Sequence, residues 1–145
     1  MHTTDKDCLF CKIVAGEIPS RKVFEDEHTY CFLDIGPVSE GHYLVIPKNH
    51  AVDLQSGSAD DACYCLRSVH ATAGAVMEAL GATGYNLGLN HGVDAGQEVF
   101  HTHFHIMPRY AGQTRGFTKL SPADHELDIV QKKIQAKMEE KGLWN

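Results

Sequence analysis

The sequence has no run of eighteen apolar residues, so it offers no candidate transmembrane helix. Basic residues are few, 13 Lys and Arg against 19 Asp and Glu, for a formal net charge of -6. That balance argues against a nucleic-acid partner or an anionic membrane surface. A small anionic substrate needs only a local site and is not excluded. There is no internal repeat, low-complexity tract or long linker. Met1 to Asp7 is polar and lacks the apolar centre of a signal peptide. Cysteine occurs an odd number of times, five. We therefore expect a reducing, cytoplasmic setting, with the cysteines as thiols or metal ligands rather than disulfides. The chain has 145 residues, 43% of them hydrophobic, which suits one domain with a real core.

Against these absences stands one dense stretch, His101-Thr102-His103-Phe104-His105-Ile106-Met107-Pro108-Arg109. Three histidines alternate with Thr102 and Phe104. In a strand, alternate side chains share a face, which sets the imidazoles in a row roughly 6.7 Å apart at ~3.3 Å rise per residue. Phe104 and Ile106 then face a core. The row is open to three readings: a polar sheet face, a metal site, or catalysis with one imidazole as nucleophile or base.

Elsewhere the pattern reads as α+β: a five-stranded antiparallel sheet with a long helix and a C-terminal helix. Strands are expected over 22–25, 29–35, 42–46, 84–90 and 99–108. Ser58 is a good N-cap, with Asp61 three residues on, and Gly81 a good stop. Between them Ala62, Leu66, Val69, Ala73, Val76 and Leu80 form one apolar stripe. A second helix is expected from Ser121 as N-cap, with Pro122 at its first position, to Gly142. Its stripe is Leu127, Val130, Ile134 and Met138. The whole is one domain, with a core over about 8–110 and a helical extension over about 121–142.

Cys8-x-x-Cys11 is open to three readings: a redox pair, half a zinc site, or two buried thiols. His50, after the third strand, and His101 are free to complete a zinc set that staples the N-terminus to two strands. Cys63 and Cys65 read as packing or surface residues, and Cys31 as core. The loop from Asn90 to Gln97 contains Gly92 and Gly96; it is either a plain turn or a backbone cradle for an anion. Asn90 and Gln97 carry amides that suit holding phosphate or orienting an imidazole. Asp34 suits a ribose hydroxyl or a strand-ending turn. His28, His42, His70, His91 and His125 read as surface or packing residues.

His101-x-His103-x-His105 with Ile106 and Met107 resembles the signature of the histidine triad nucleotide hydrolases and transferases. Cys8 to Ile13, Gly16-Glu17-Ile18-Pro19, Phe32-Leu33-Asp34-Ile35, Leu44 to Lys48 with His50, and Ala95-Gly96-Gln97 follow in the family's order. The resemblance covers about two-thirds of the chain, and it implies the following. His103 is the nucleophile at the α-phosphate of a nucleotide, a purine nucleotide by analogy. His101 fixes the His103 tautomer through its carbonyl, and His105 contacts phosphate and aids departure of the leaving group. Asn90 and Gln97 meet phosphate, and Asp34 meets ribose. Leu9, Phe10, Ile13, Phe32 and Ile35 surround the base. Cys8, Cys11, His50 and His101 hold one structural zinc per chain, and two chains form a homodimer. The implied activity is hydrolysis of nucleoside phosphoramidates or nucleotidyl conjugates. A dinucleoside polyphosphate hydrolase or nucleotidyltransferase, and a non-catalytic nucleotide sensor, are the alternatives. Two features depart from the phosphoramidase branch. Glu98 stands where that branch has serine, and Pro108-Arg109 resembles the dinucleoside polyphosphate branch. Trp144 follows an added helix, so it is not equated with that branch's Trp-containing tail.

Overall fold

The computed structural model describes residues 1–144. Five strands form one antiparallel sheet: β1 (Lys22–Glu25), β2 (Thr29–Leu33), β3 (Tyr43–Pro47), β4 (Gly84–Leu89) and β5 (Phe104–Arg109), in the order β1-β2-β3-β5-β4. The helices are α1 (Leu9–Val14), α2 (Ala59–Leu80) and α3 (Asp124–Glu140). No helix among the described residues is long and apolar enough to cross a membrane.

Both faces of the sheet are covered at its centre, so β2 and β3 are buried at every residue. Alternation along the strands sorts their side chains. Cys31, Leu33, Tyr43, Val45, Phe104 and Ile106 go to one face, with Val69, Ala73 and Val76 of α2 and Val130, Ile134 and Met138 of α3. Tyr30, Phe32, Leu44 and Ile46 go to the other, against Phe10 and Ile13 of α1. His105 sits directly across from Leu44, so it belongs to the second face. The histidines thus stand on the side covered only by the short α1.

Ser58 caps α2 by accepting from Asp61 N–H, and Gly81 ends it in the left-handed region at φ 75°. The buried face differs from the expected stripe. Leu66 is 46% exposed, whereas Cys65 is fully buried and Cys63 is exposed. The inward face is Cys65, Ser68, Val69, Thr72, Ala73 and Val76, part of it polar. Tyr43 OH lies 2.8 Å from Thr72 Oγ1, and Thr29 Oγ1 lies 2.6 Å from Ser68 Oγ. Paired hydroxyls at a helix–sheet seam are satisfied and stable there, and a search for apolar periodicity misses them.

α3 starts later than expected. Ser121 and Pro122 lie before it, and Ala123 is the N-cap. Leu120 N–H donates to Pro37 O, which holds the preceding segment against another loop. Glu126 then closes half a capping box by accepting from Ala123 N–H. The expected stripe of α3 is buried throughout. Arg21 pairs with Asp124 and Asp128, and the Gln131 and Gln135 amides donate to Lys22 O. These bonds tie α3 to β1.

Asp26 organises the β1–β2 turn. Its carboxylate accepts from His28 N–H, Thr29 N–H and Thr29 Oγ1, and Ser68 Oγ of α2, which is hydrogen-bonded to Thr29 Oγ1, stands 3.4 Å away. Those donors hold its pKa below the ordinary value despite the opposing effect of burial, which is the largest single influence. A depressed folded-state pKa stabilises the fold above the unfolded value and loses that contribution as pH falls through the folded value. Asp26 is exposed, so solvent screens part of this, and Asp26→Asn is expected to destabilise the chain by ~1 kcal/mol or less at pH 7. The difference from the parent should hold above the ordinary Asp value of ~3.9 and narrow as pH falls below it. Urea unfolding, expected as one transition for a single domain, checks both; an unchanged gap at low pH would refute the electrostatic account.

Candidate active site

β5 begins at Phe104, five residues later than the strand expected from Val99, so His101 and His103 precede the ladder. β3 and β4 pair no further than Val45↔Phe104 and Leu89↔Phe104. Beyond that point Thr102 N–H turns to Ala51 O, and His101 Nε2 donates to Pro47 O at 2.8 Å. The three rings are therefore not a flat row. The His103 and His105 centroids are 5.0 Å apart, while His101 turns toward the N-terminus.

At that turn four expected residues converge. His101 Nδ1 lies 3.5 Å from Cys8 Sγ, 3.6 Å from Cys11 Sγ and 3.2 Å from His50 Nδ1, and Cys11 Sγ lies 3.4 Å from His50 Nδ1. A tetrahedral zinc with bonds of ~2.3 Å to sulfur and ~2.0 Å to nitrogen spaces its ligands roughly 3.3–3.8 Å apart. The donor set and its spacing fit such an ion. The surroundings fit as well. His101 Nε2–H is held by the Pro47 carbonyl, which leaves Nδ1 as the ligating atom. Cys8 and Cys11 sulfurs accept from Cys11 N–H and Asp5 N–H, as thiolates do. Burial raises the Cys11 thiol above its ordinary value, so a cation is needed to keep it ionised.

The carbonyl of the same His101 accepts from His103 Nδ1 at 2.7 Å. His103 therefore carries its proton on Nδ1, and Nε2 is left with a free lone pair. Phe10 meets the His103 ring edge-on at 5.2 Å and fixes its plane. Burial lowers the His103 pKa and brings that of His105 to about 4, so both rings are neutral at pH 7.

One participant departs from the expectation of a packing or surface role: His42. It is 4% exposed, and its Nε2 lies 3.0 Å from His105 Nδ1. Val38 N–H donates to His42 Nδ1 at 3.1 Å. A backbone N–H can only donate, so the tautomers follow along the chain. His42 is protonated at Nε2 and donates to His105 Nδ1. His105 is then protonated at Nε2, a buried atom with no protein partner. Asp34 Oδ2 stands 3.6 Å from His42 Nε2 and 4.0 Å from His105 Nδ1, beside this chain. His42 lies just before β3, and His105 lies opposite Leu44. Only the pairing of β3 with β5 brings the two rings together.

His42, His103 and His105 open into a cavity of about 760 Å³. Leu9, Phe10, Ile13, Phe32 and Ile35 line it on the apolar side, with Phe10 and Phe32 in edge-to-face contact at 5.3 Å. Asp34, Asn90, Glu98 and Lys119 are among its polar lining. Gly88, directly across from His105, adds no side chain to the floor. Gln97 does not line the cavity. Its Oε1 accepts from Gly92 N–H, and its Nε2 donates to Val52 O and Val99 O, so the amide braces the loop. Several of the loop's own amides are also engaged: Ala95, Gly96 and Gln97 N–H donate to Gly92 and Val93 carbonyls. Of the two readings of this loop, these bonds favour the plain turn.

The model of the HIT domain family matches residues 15–112. The chain belongs to the HIT family. It is 44% identical over 128 residues to an uncharacterized HIT-like protein of Methanocaldococcus jannaschii, covering 88% of this chain and 98% of that one. Adenosine 5'-monophosphoramidase HNT1 of Saccharomyces cerevisiae is 37% identical over 140 residues, covering 94% and 86%. Among solved structures, a zinc-bound histidine triad family protein from Mycobacterium smegmatis superposes with a TM-score of 0.80 at 34% identity, covering 93% and 97%. This HIT chain thus shares both its fold and the span that carries its histidines with these relatives.

The hydrogen-bond order fixes an observable. Histidine ring nitrogen spectra at pH 7 should show the Nδ1–H tautomer for His103 and the Nε2–H tautomer for His42 and His105. His42→Phe should leave His105 as a mixture of tautomers. A unique His105 tautomer in that variant would show that His42 does not set it.

Proposed function

We propose that this HIT protein is a nucleotide-binding hydrolase that cleaves at the α-phosphate of nucleoside phosphoramidates or nucleotidyl conjugates, with adenosine 5'-phosphoramidate as the model substrate. The observation that carries the reading is the His103 Nδ1–H bond to the His101 carbonyl, which frees a neutral Nε2 at the edge of a nucleotide-sized cavity. The base, a purine by analogy, lies against Leu9, Phe10, Ile13, Phe32 and Ile35. Asp34 takes the ribose end and Asn90 the phosphate end, and Gln97 acts through the loop it braces. The name of the yeast relative supports the same reaction.

The reaction has two halves. The His103 Nε2 lone pair attacks the α-phosphorus and forms a phosphorus–nitrogen bond. The bond to the leaving atom breaks, its electron pair goes with that atom, and the released amine takes a proton from water. A water then attacks the phosphorus, the bond to Nε2 breaks with its pair returning to the ring, and the water's extra proton goes to solvent. His105 Nε2–H donates a hydrogen bond to the charged phosphate oxygens. Its other nitrogen is already accepting from His42, so His105 acts as a fixed donor rather than a source of protons. AMP release from adenosine 5'-phosphoramidate should fall ~1,000-fold or more in His103→Ala. Turnover that survives this change would dismiss the mechanism, and AMP binding without turnover in the parent would favour a sensor.

We further propose one structural zinc per chain on Cys8, Cys11, His50 and His101, in a cytoplasmic homodimer. Four protein ligands leave no open position on such an ion, so it would join the N-terminal segment and α1 to the turn before β5. The pairing of two copies is supported by exposed Leu66 on α2 and exposed Tyr85 and Leu87 on the edge strand β4. Native mass spectrometry is expected to show two chains with two zinc ions, and Cys11→Ser to lose the metal. Metal-free parent protein, or monomers only, would overturn the respective point. Recovery of Cys8 and Cys11 as a disulfide would argue against a reducing compartment.

A further inference from the structure

The cavity is poor in positive charge for a site that receives a phosphate. Among its described lining residues the fixed cations are Arg21 and Lys119, and the carboxylates are Asp34 and Glu98. Arg21 is engaged by Asp124 and Asp128 of α3, at 3.3 and 2.9 Å. Of the two fixed cations, an anion carried beyond the α-phosphate therefore has one that α3 does not hold, Lys119.

Lys119 is placed across the mouth. The segment from Tyr110 to Leu120 follows β5, and its Phe117 and Lys119 join the cavity's lining. Two anchors hold it. Arg109 donates to Asn86 Oδ1 and to Gly116 O, and its guanidinium lies 5.0 Å from the Phe117 ring centroid. On the opposite rim Leu120 N–H donates to Pro37 O at 2.7 Å. From there the Lys119 stem passes Gly36, where an added methyl would stand 3.5 Å from its Cδ. Its ammonium reaches Glu98, at 3.1 and 3.3 Å from the two oxygens. Both partners are well exposed, at 63% and 74%, so the pair is weak and exchangeable. An incoming anion can take the ammonium from Glu98 without breaking a buried bond.

Resting on the hydrolase reading, we infer that Lys119 reads the charge of the leaving group, with Glu98 as its internal competitor, so that the site discriminates anionic leaving groups from neutral amines. With the base on the apolar wall and the α-phosphate at His103 and His105, the leaving group points toward Glu98 and Lys119. When it is sulfate or phosphate, Lys119 turns from Glu98 to it. When it is an amine, Lys119 stays on Glu98 and neutralises a carboxylate that would otherwise repel the α-phosphate.

The test compares adenosine 5'-phosphosulfate with adenosine 5'-phosphoramidate in three proteins: the parent, Lys119→Met and Glu98→Gln. Methionine keeps the stem's packing near Gly36 and removes the charge. The readout is the ratio of kcat/KM for the sulfate over the amide. That ratio should fall about tenfold in Lys119→Met, the effect of one exposed charge at close range, and rise several-fold in Glu98→Gln. An unchanged ratio in Lys119→Met, or a fall in Glu98→Gln, would overturn the assignment. A second readout does not depend on turnover. The parent should bind ADP more tightly than AMP, and Lys119→Met should erase the difference. Equal affinities in the parent would also overturn it. If no protein turned over either substrate while the ADP preference behaved as stated, the hydrolase reading would fall and the charge-reading role of Lys119 would stand.

Discussion

The site depends on the three-way attachment of His101. Its Nε2–H is tied to Pro47 at the end of β3, its Nδ1 faces the two cysteines and His50, and its carbonyl holds His103 Nδ1–H. One residue thus joins the end of the sheet, the N-terminal segment and the tautomer of the next histidine. A ring with both nitrogens committed cannot flip without breaking two sets of bonds. That rigidity passes to His103 through the 2.7 Å bond that its Nδ1–H donates to the His101 carbonyl, whose position follows the His101 ring. A metal on the four ligands would strengthen the same joint, because each ligand would gain a bond near 2.0–2.3 Å.

The second constraint is electrostatic. Burial keeps the imidazoles neutral, since charging a desolvated ring costs free energy. A neutral ring has one donor and one acceptor, so a chain of rings transmits direction. Val38 N–H sets His42, His42 sets His105, and His105 presents N–H. His103, oriented by a carbonyl instead, presents a lone pair. Two histidines two residues apart therefore have opposite polarity. The side chains are identical, and the partner of each Nδ1 makes the difference.

The sheet explains why such a site lies on one face. α2 and α3 cover one side with a continuous core. The other side is covered by α1 alone, which spans six residues. The uncovered part of that face becomes the cavity, with the histidines of β5 and the turn before it at its polar end. The segment after β5 joins the cavity's lining and brings to it Lys119, a cation held only by the exposed carboxylate of Glu98, whereas Arg21 is held by α3.

Much of this was legible in the sequence. β-rich runs between turn residues marked the strands, Ser58 and Gly81 marked the ends of α2, and Leu127, Val130, Ile134 and Met138 marked the buried side of α3, because these signals act over a few residues. Donor chemistry alone nominated Cys8, Cys11, His50 and His101, and the fold brings them within bonding range of one ion. Long-range pairing decided the rest. The ladder stops at Phe104, because beyond it Thr102 turns to Ala51 instead of a strand. The inner face of α2 follows hydroxyl pairs across the seam, which hydrophobicity does not register. Gln97 turned inward to brace its loop, and the Ser121-Pro122 start was displaced by the bond of Leu120 to Pro37. His42 gave no local signal, since its meaning comes from a residue 63 positions away. The sequence determined which chemistry was available, because that is written in side-chain type. Tertiary structure alone decided which nitrogen of each ring is free, because that depends on what stands opposite it in space.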